Sequence, residues 1–324
     1  MYKPKVLLTH HNFPQSAIEL LSEKFDVELC PTEASKPNQQ DIINNIPGKF
    51  AIFCCSPIKI NEDLLKAAGP SLKVVGTMSV GYDHIDLEAL KKYGVRLGNT
   101  PDVLTEAVAE IAVGLLITTT RRFFEANHEL KIGNWKTFSP DWMCGHGIKD
   151  SVIGIIGCGN IGTSIAEKLH KFNAAEIIYT SRSEKSAMKA IGGKLVNVDE
   201  LVRKSDFVIL SVALTPETKF IINKERLSKM KSNAVLVNIG RGDLIDQNAL
   251  IEALKEKRIR GAGLDVMTPE PLPLDSPLMN LDNVVLLPHI GSATIETRID
   301  MAELTARNIL AVLENKTMPC EVKF

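Results

Sequence analysis

The chain alternates short apolar runs with segments whose apolar residues recur every three or four positions, and this alternation restricts the fold more than any other feature. The runs KVLLTHH, DVELC, FAIFCCS, LKVVGTM and VRLGNT have the length and content of buried strands. Between them, PQSAIELLSEKF, NEDLLKAAG and HIDLEALKKYG carry the spacing of amphipathic helices. Strands linked through helices run parallel, because the helix returns the chain to the edge where the strand began. A parallel sheet is covered on both faces, which explains runs that are apolar throughout. Residues 1–99 read as one doubly wound α/β unit.

A long helical stretch follows from Val103 to about Thr120, opened by TPD and rich in small apolar residues; its length suits a connector between two lobes. KIGNWKTFSPDWMCGHGIKD has no clear period and holds both tryptophans, and such stretches inside compact domains are often functional. A second alternation starts at Ser151 with SVIGIIG, AEIIYT, DFVILSV, NAVLVNI, GAGLDV and NVVLLPH, six strand-like runs. The last segment, TIETRIDMAELTARNILAVLEN, reads as one helix with Ile295, Ile299, Ala302, Ala306, Ile309 and Leu313 along one side, crossing back onto the first domain. No repeat of solenoid length is present.

A chain of 324 residues suits two domains. Its 38 basic and 39 acidic residues nearly cancel, which argues against a nucleic-acid binder or a membrane-surface protein. The apolar run at Val6–Leu8 is too short for a signal peptide or a membrane span. Six cysteines form no CxxC pair and no zinc spacing, and the histidines outside the strand tips lack ligand spacing, so no metal site is expected. A reducing, cytoplasmic setting fits this usage.

The stretch SVIGIIGCGNIGTSIAEKLH places Gly157, Gly159 and Gly162 at GxGxxG spacing between an apolar strand and an amphipathic helix. That context identifies a dinucleotide-binding turn. Gly157 permits the tight turn, Gly159 lets backbone approach a pyrophosphate, and Gly162 lets helix and strand pack closely. Asn160 and Ile161, within the same turn, open the helix whose N-terminus faces the phosphates. Residues 100–290 are therefore read as the dinucleotide-binding domain of Rossmann type. Residues 1–99, completed by the C-terminal helix 291–324, are read as a flavodoxin-like substrate-binding domain.

About 20 positions beyond the glycines, an acidic residue accepts hydrogen bonds from the ribose of NAD in such folds. Here that place falls near Thr180 and Ser181, in IIYTSRS, and neither can act as a carboxylate. Arg182 supplies a planar fork suited to phosphate, with Ser181 and Ser183 as hydroxyl donors beside it. NADP(H) is therefore the favoured cofactor and NAD(H) a possible one, with Glu184 able to take part of the acid's role.

Ligands of open α/β sheets gather at the C-terminal strand ends. There the sequence places Arg241 in NIGRGDLID, Asp265 and Glu270 in GLDVMTPEP, and His289 in LLPHIGSAT. Each alone has an ordinary structural explanation; together they mark one crevice.

With these motifs in this order, the chain resembles the D-isomer-specific 2-hydroxyacid dehydrogenases over essentially its whole length. GTMSVGYDHIDLEALKKYGVRLGNTPDVLTEAVAE and NWKTFSPDWMCGHG make it most similar to the glyoxylate/hydroxypyruvate reductases among them. The resemblance implies that Arg241, Glu270 and His289 are catalytic. Arg241 would bind the substrate carboxylate and carbonyl, His289 would give a proton to the carbonyl oxygen, and Glu270 would orient the ring. It further implies that the amides at Val80 and Gly81 hold the carboxylate. Thr105, Ile239, Asp265 and Gly291 would line the cofactor. It also implies a homodimer in which Trp142 reaches toward the neighbouring active site and limits substrate size. Two other readings stay open at this point: a dehydrogenase for phosphoglycerate, formate or a bulkier D-2-hydroxy acid, and a corepressor-like protein that uses the dinucleotide as a switch. The chain ends too soon after HIGSAT to hold the regulatory domain many phosphoglycerate dehydrogenases carry.

Overall fold

A computed structural model describes residues 3–31, 38–56 and 58–324 of the chain. They form two compact units, one within Met1–Leu104 and Ser292–Phe324, the other Thr105–Gly291. Among the described residues, no helix is long and apolar enough to cross a membrane.

The first unit runs β1 (Lys5–Leu8), α1 (Gln15–Ser22), β2 (Asp26–Leu29), α2 (Gln39–Asn45), β3 (Ala51–Cys54), α3 (Glu62–Ala68), β4 (Val74–Thr77), α4 (Leu87–Tyr93) and β5 (Arg96–Gly98). Its five-stranded sheet has the order β2-β1-β3-β4-β5, and its strand pairings are parallel. This is the flavodoxin-like order, with its switch point between β1 and β3. Helices α2, α3 and α4 begin at Asn38, Asn61 and Asp86, whose side chains accept hydrogen bonds from the amides of Asp41, Leu64 and Ala89. Such caps satisfy donors that a helix start leaves open. One apolar cluster joins these helices to one sheet face, with Ile42, Leu64, Leu65 and Leu90 against Ile52, Val75 and Leu97. Helix α2 has no counterpart among the helices expected from sequence, because QQDIINN is polar apart from two isoleucines and only Ile42 is buried.

The segment after His289 forms α12 (Ile295–Leu313), which packs on α1 and across β3, β4 and β5. The helix lies so close to the sheet that a Cβ on Gly98 would meet Asn308 Cβ at 2.6 Å. Asn308 is fully buried; its amide nitrogen donates to Asn99 O at 3.0 Å, and its carbonyl accepts from the Cys320 amide at 2.9 Å. The buried face consists of Thr297, Met301, Ala302, Thr305, Ala306, Asn308, Ile309 and Ala311. Ile295 and Ile299, read above as part of the inner face, are 77% and 37% exposed. These two side chains line a surface hollow with Pro14, Ala293 and Arg298.

The second unit opens with α5 (Thr105–Thr120) and α6 (Phe123–Lys131), then continues through β6 (Val152–Ile156), α7 (Asn160–His170), β7 (Glu176–Thr180), α8 (Ser186–Ala190), β8 (Lys194–Leu195) and α9 (Val198–Lys204). It closes with β9 (Phe207–Leu210), α10 (Lys224–Lys229), β10 (Val235–Asn238), α11 (Gln247–Lys255), β11 (Gly261–Leu264) and β12 (Val284–Leu286). The seven-stranded sheet has the order β12-β11-β10-β9-β6-β7-β8 and all its pairings are parallel. The six strands anticipated from apolar runs are joined by a seventh, β8, whose two residues are both exposed. An exposed two-residue strand has no apolar signature to read. Helix α5 is no simple connector: it packs on β10, β11, β12 and α7, burying Ala109, Ala112, Leu115 and Leu116. Helix α6 buries none of its residues, which is why no apolar stripe announces it.

Candidate active site

The glycine loop joins β6 to α7. Gly157 has φ +95°, a left-handed conformation that side chains resist, and a Cβ there would lie 2.7 Å from the Val212 backbone. A Cβ on Gly162 would lie 2.1 Å from the Gly157 carbonyl, so helix and loop touch at that point. A Cβ on Gly159 would meet nothing within 4 Å, which leaves open space beside the start of α7. Gly159 caps α7 without a side-chain hydrogen bond, so the cradle is built from backbone. This donor set fits a pyrophosphate: amide groups at a helix N-terminus, with room for the ligand to touch them. Asn160 and Ile161 form the first turn of that helix. Ser211, at the end of β9, fixes the loop by donating its hydroxyl to Gly157 O at 2.6 Å.

The tip of β7 adjoins this loop, because the Gly157 amide donates to both Thr180 O and Thr180 Oγ1 at 3.3 Å. Ser181 is half-buried there, while Arg182, Ser183 and Glu184 are exposed. The turn is shaped by buried Tyr179, whose phenol oxygen accepts from the Lys185 amide at 3.1 Å. Thr105 stands at the first residue of α5, and Ile239, 8% exposed, follows β10.

Arg241 follows β10 in a turn organised by Asn238. That fully buried amide donates to Arg241 O at 2.8 Å and accepts from the Gly240 amide at 3.0 Å. The Arg241 guanidinium donates to Gly240 O at 2.9 Å and lies close enough to Glu270 to act on its charge.

His289 and Glu270 meet: Nδ1 of the ring is 2.7 Å from Glu270 Oε2. The other carboxylate oxygen of Glu270 accepts from the Met267 amide at 3.1 Å. Burial pushes the Glu270 carboxyl up, but His289, the Met267 amide and Arg241 together outweigh it and hold the group below its ordinary value of 4.5. With Nδ1 committed to Glu270, Nε2 is the ring nitrogen available to a reactant. His289 itself has φ +54°.

Asp265 explains how that backbone is held. It is 1% exposed, and its two carboxylate oxygens accept from the amides of Ile290 and Gly291, each at 2.8 Å. The Asp265 carbonyl accepts from the His289 amide at 2.9 Å. The resemblance implies a cofactor contact at Asp265; in the structure its carboxylate holds the His289 turn, and Gly291 is one of its donors. Asn238 and Ser211 are not among the residues the sequence singles out. Asn238 has a usable signal, an asparagine between a strand and a glycine, which is turn chemistry.

Val80 and Gly81 lie at the tip of β4 in the first unit, half-buried. Trp142 is 38% exposed in the second unit. Among the described residues no group of three or more His, Cys, Asp or Glu side chains is placed to hold a metal ion.

Fold and loop together define a dinucleotide-binding α/β protein. The family model for the NAD-binding domain of D-isomer specific 2-hydroxyacid dehydrogenases matches residues 113–291. A glyoxylate reductase/hydroxypyruvate reductase of Mus musculus is 43% identical over 312 residues, covering 96% of this chain and 95% of that protein. A solved structure of the TT0316 protein from Thermus thermophilus superposes with a TM-score of 0.91 at 36% identity, covering 98% of this chain and 100% of that one. An NADPH-dependent glyoxylate/hydroxypyruvate reductase from Sinorhizobium meliloti, solved with NADP and malonate, gives a TM-score of 0.86 at 30% identity, covering 99% and 97%. The chain belongs to the D-isomer specific 2-hydroxyacid dehydrogenase family.

The His289–Glu270 contact has a consequence for pH. A carboxyl held below 4.5 contributes stability that is fully present above that value and is lost as pH falls through its lower, folded value. Carboxyl-resolved NMR titration of the wild type gives a Glu270 midpoint below 4.5. In His289→Ala burial loses its main opponent and the midpoint rises. An unchanged midpoint in the variant would mean that the ring does not set the charge of Glu270.

Proposed function

We propose that the protein reduces the small 2-keto acids glyoxylate and hydroxypyruvate to glycolate and D-glycerate. The observation that carries this reading is the His289 ring, held 2.7 Å from Glu270 at the strand tips that also bear Arg241. The name of the Mus musculus relative supports the substrate choice.

A reduced nicotinamide dinucleotide supplies the hydride that the carbonyl carbon receives. Gly157, Gly159, Asn160, Ile161 and Gly162 would hold its pyrophosphate, and Thr105, Ile239, Asp265 and Gly291 would line its other end. Arg241 binds the substrate carboxylate and carbonyl oxygen through its planar fork, which fixes the carbonyl in one orientation. The family resemblance gives Val80 and Gly81 the role of offering backbone amides to a carboxylate. As negative charge develops on the carbonyl oxygen, His289 delivers a proton from Nε2. Glu270 keeps Nδ1 hydrogen-bonded throughout, so the ring does not turn away.

NADPH is the preferred cofactor in this proposal. No carboxylate stands at Thr180 or Ser181 to repel a ribose 2′-phosphate, and the exposed guanidinium of Arg182 lies one residue beyond them. Ser181 and Ser183 add hydroxyl donors. The Sinorhizobium meliloti neighbour, which is NADPH-dependent, supports this choice. The protein acts as a homodimer: Phe123, Phe124, Leu130, Ile132, Trp135 and Phe138, close together in sequence, are each at least half exposed, and a second copy of the chain would take them out of water. Trp142 would reach the partner's active site and limit substrate size. All six cysteines are unpaired, which suits the reducing cytoplasm.

Steady-state rates with both cofactors test this reading. The wild type consumes NADPH with glyoxylate and hydroxypyruvate, at higher kcat/KM than with NADH. In Arg182→Ala the NADPH-to-NADH ratio of kcat/KM falls by roughly 10–100-fold, the value of a charge-assisted contact. No turnover with either keto acid would refute the activity; a ratio that Arg182→Ala leaves alone would refute the cofactor assignment. Sedimentation equilibrium gives a dimer that Trp135→Asp/Phe138→Asp converts to monomer, and a monomeric wild type would contradict the assembly.

A further inference from the structure

The loop after β4 uses every carbonyl from Ser79 to Gly81 inside the protein. The Thr100 amide donates to Ser79 O at 2.9 Å, Asn99 Nδ2 donates to Val80 O at 3.0 Å, and the Ser79 hydroxyl donates to Gly81 O at 2.7 Å. In a trans peptide the N–H points opposite to the C=O of the same plane. Fixing these three carbonyls therefore turns away the amides of Val80, Gly81 and Tyr82. Among the described residues, none of the three donates to another backbone group of the chain. Successive amides presented in this way make an anion-binding concavity.

The third of these amides depends on a directed chain of hydrogen bonds. The one proton of the Ser79 hydroxyl goes to Gly81 O, so the 2.9 Å contact between Thr77 Oγ1 and Ser79 Oγ must take its proton from Thr77. With that proton used, the 3.2 Å contact between Thr77 Oγ1 and His84 Nε2 must take its proton from the ring. Only one order of donation satisfies all three: His84 Nε2–H to Thr77, Thr77 O–H to Ser79, and Ser79 O–H to Gly81 O. Thr77 is fully buried at the end of β4, which anchors the chain in the sheet.

We infer that the substrate carboxylate is held by three amides, those of Val80, Gly81 and Tyr82, and that His84, Thr77 and Ser79 are positioning residues that orient the third. The inference rests on the reading of this chain as a 2-keto acid reductase and adds to it a donor, Tyr82 N–H, and the groups that aim it. Ser79→Ala releases Gly81 O and lets the peptide between Gly81 and Tyr82 turn.

The test combines kinetics with amide NMR, using oxalate as an unreactive carboxylate probe. In the wild type the Val80, Gly81 and Tyr82 amide signals shift on adding oxalate. In Ser79→Ala the Tyr82 shift is lost, and KM for glyoxylate rises roughly three- to ten-fold, the value of one neutral hydrogen bond. Its kcat and NADPH affinity stay within about two-fold of the wild type. Ser79→Thr, which keeps the hydroxyl, restores KM. Thr77→Val reproduces the Ser79→Ala loss, and the double variant is no worse than either single one. A Tyr82 amide that oxalate does not move in the wild type would overturn the inference, as would a Ser79→Ala loss shared equally by NADPH affinity. Oxalate shifts at all three amides in a wild type that turns over no keto acid would keep the three-amide site and retire the reductase reading instead.

Discussion

The Asp265 carboxylate holds together the part of the molecule where His289 meets Glu270. It joins the end of β11 to the turn after β12 through the amides of Ile290 and Gly291. Between those elements stands His289, in a left-handed backbone conformation that costs an ordinary residue about 1–2 kcal/mol. Hydrogen bonds to a charged group contribute about 1.5–3 kcal/mol each, so two of them exceed that cost. A Cβ on Gly291 would come within 2.9 Å of the carboxylate, so a glycine is what lets the turn close around it. The turn then directs the ring toward Glu270, and the remaining ring nitrogen is left for a reactant.

Other strand ends in each unit depend on the same kind of arrangement and are fixed by polar side chains. Asn238 shapes the turn that carries Arg241, and its backbone carbonyl accepts from the Asp265 amide, so the two turns share one hydrogen-bonded seam. Ser211 and Thr180 fix the glycine loop from β9 and β7. In the first unit, Asn99 and Ser79 do the same for the loop after β4. Within each unit, a parallel sheet puts these strand ends on one edge. Substitutions in the loops can thus alter binding while the apolar strands beneath, such as the fully buried Ile153, Ile155 and Ile156 of β6, keep the framework unchanged.

Much of this is legible in the sequence because it rests on apolar period and on residues with few alternatives. The parallel strands announce themselves as continuous apolar runs, and GxGxxG has little meaning outside a strand–turn–helix. His289 and Glu270 are readable as candidates because each follows an apolar strand, and the structure brings them into contact. What stays hidden has equally physical causes. Strand β8 and helix α6 bury no residue, so no pattern marks them. Ile295 and Ile299 fit the helical period, but both side chains line a surface hollow and stay exposed. The tasks of Asp265 and Asn238 depend on which backbone groups arrive from distant segments, and a linear sequence does not contain that.

The function proposed for this chain makes the His289 ring the group that delivers the proton, with the backbone and Glu270 only placing it. The most direct measurement is kcat for glyoxylate in His289→Ala beside the dissociation constant for NADPH. If the ring is the donor, kcat falls by roughly 10²–10⁴-fold while the cofactor constant stays within about two-fold. A comparable loss in both, or a kcat within about ten-fold of the wild type, would contradict that role.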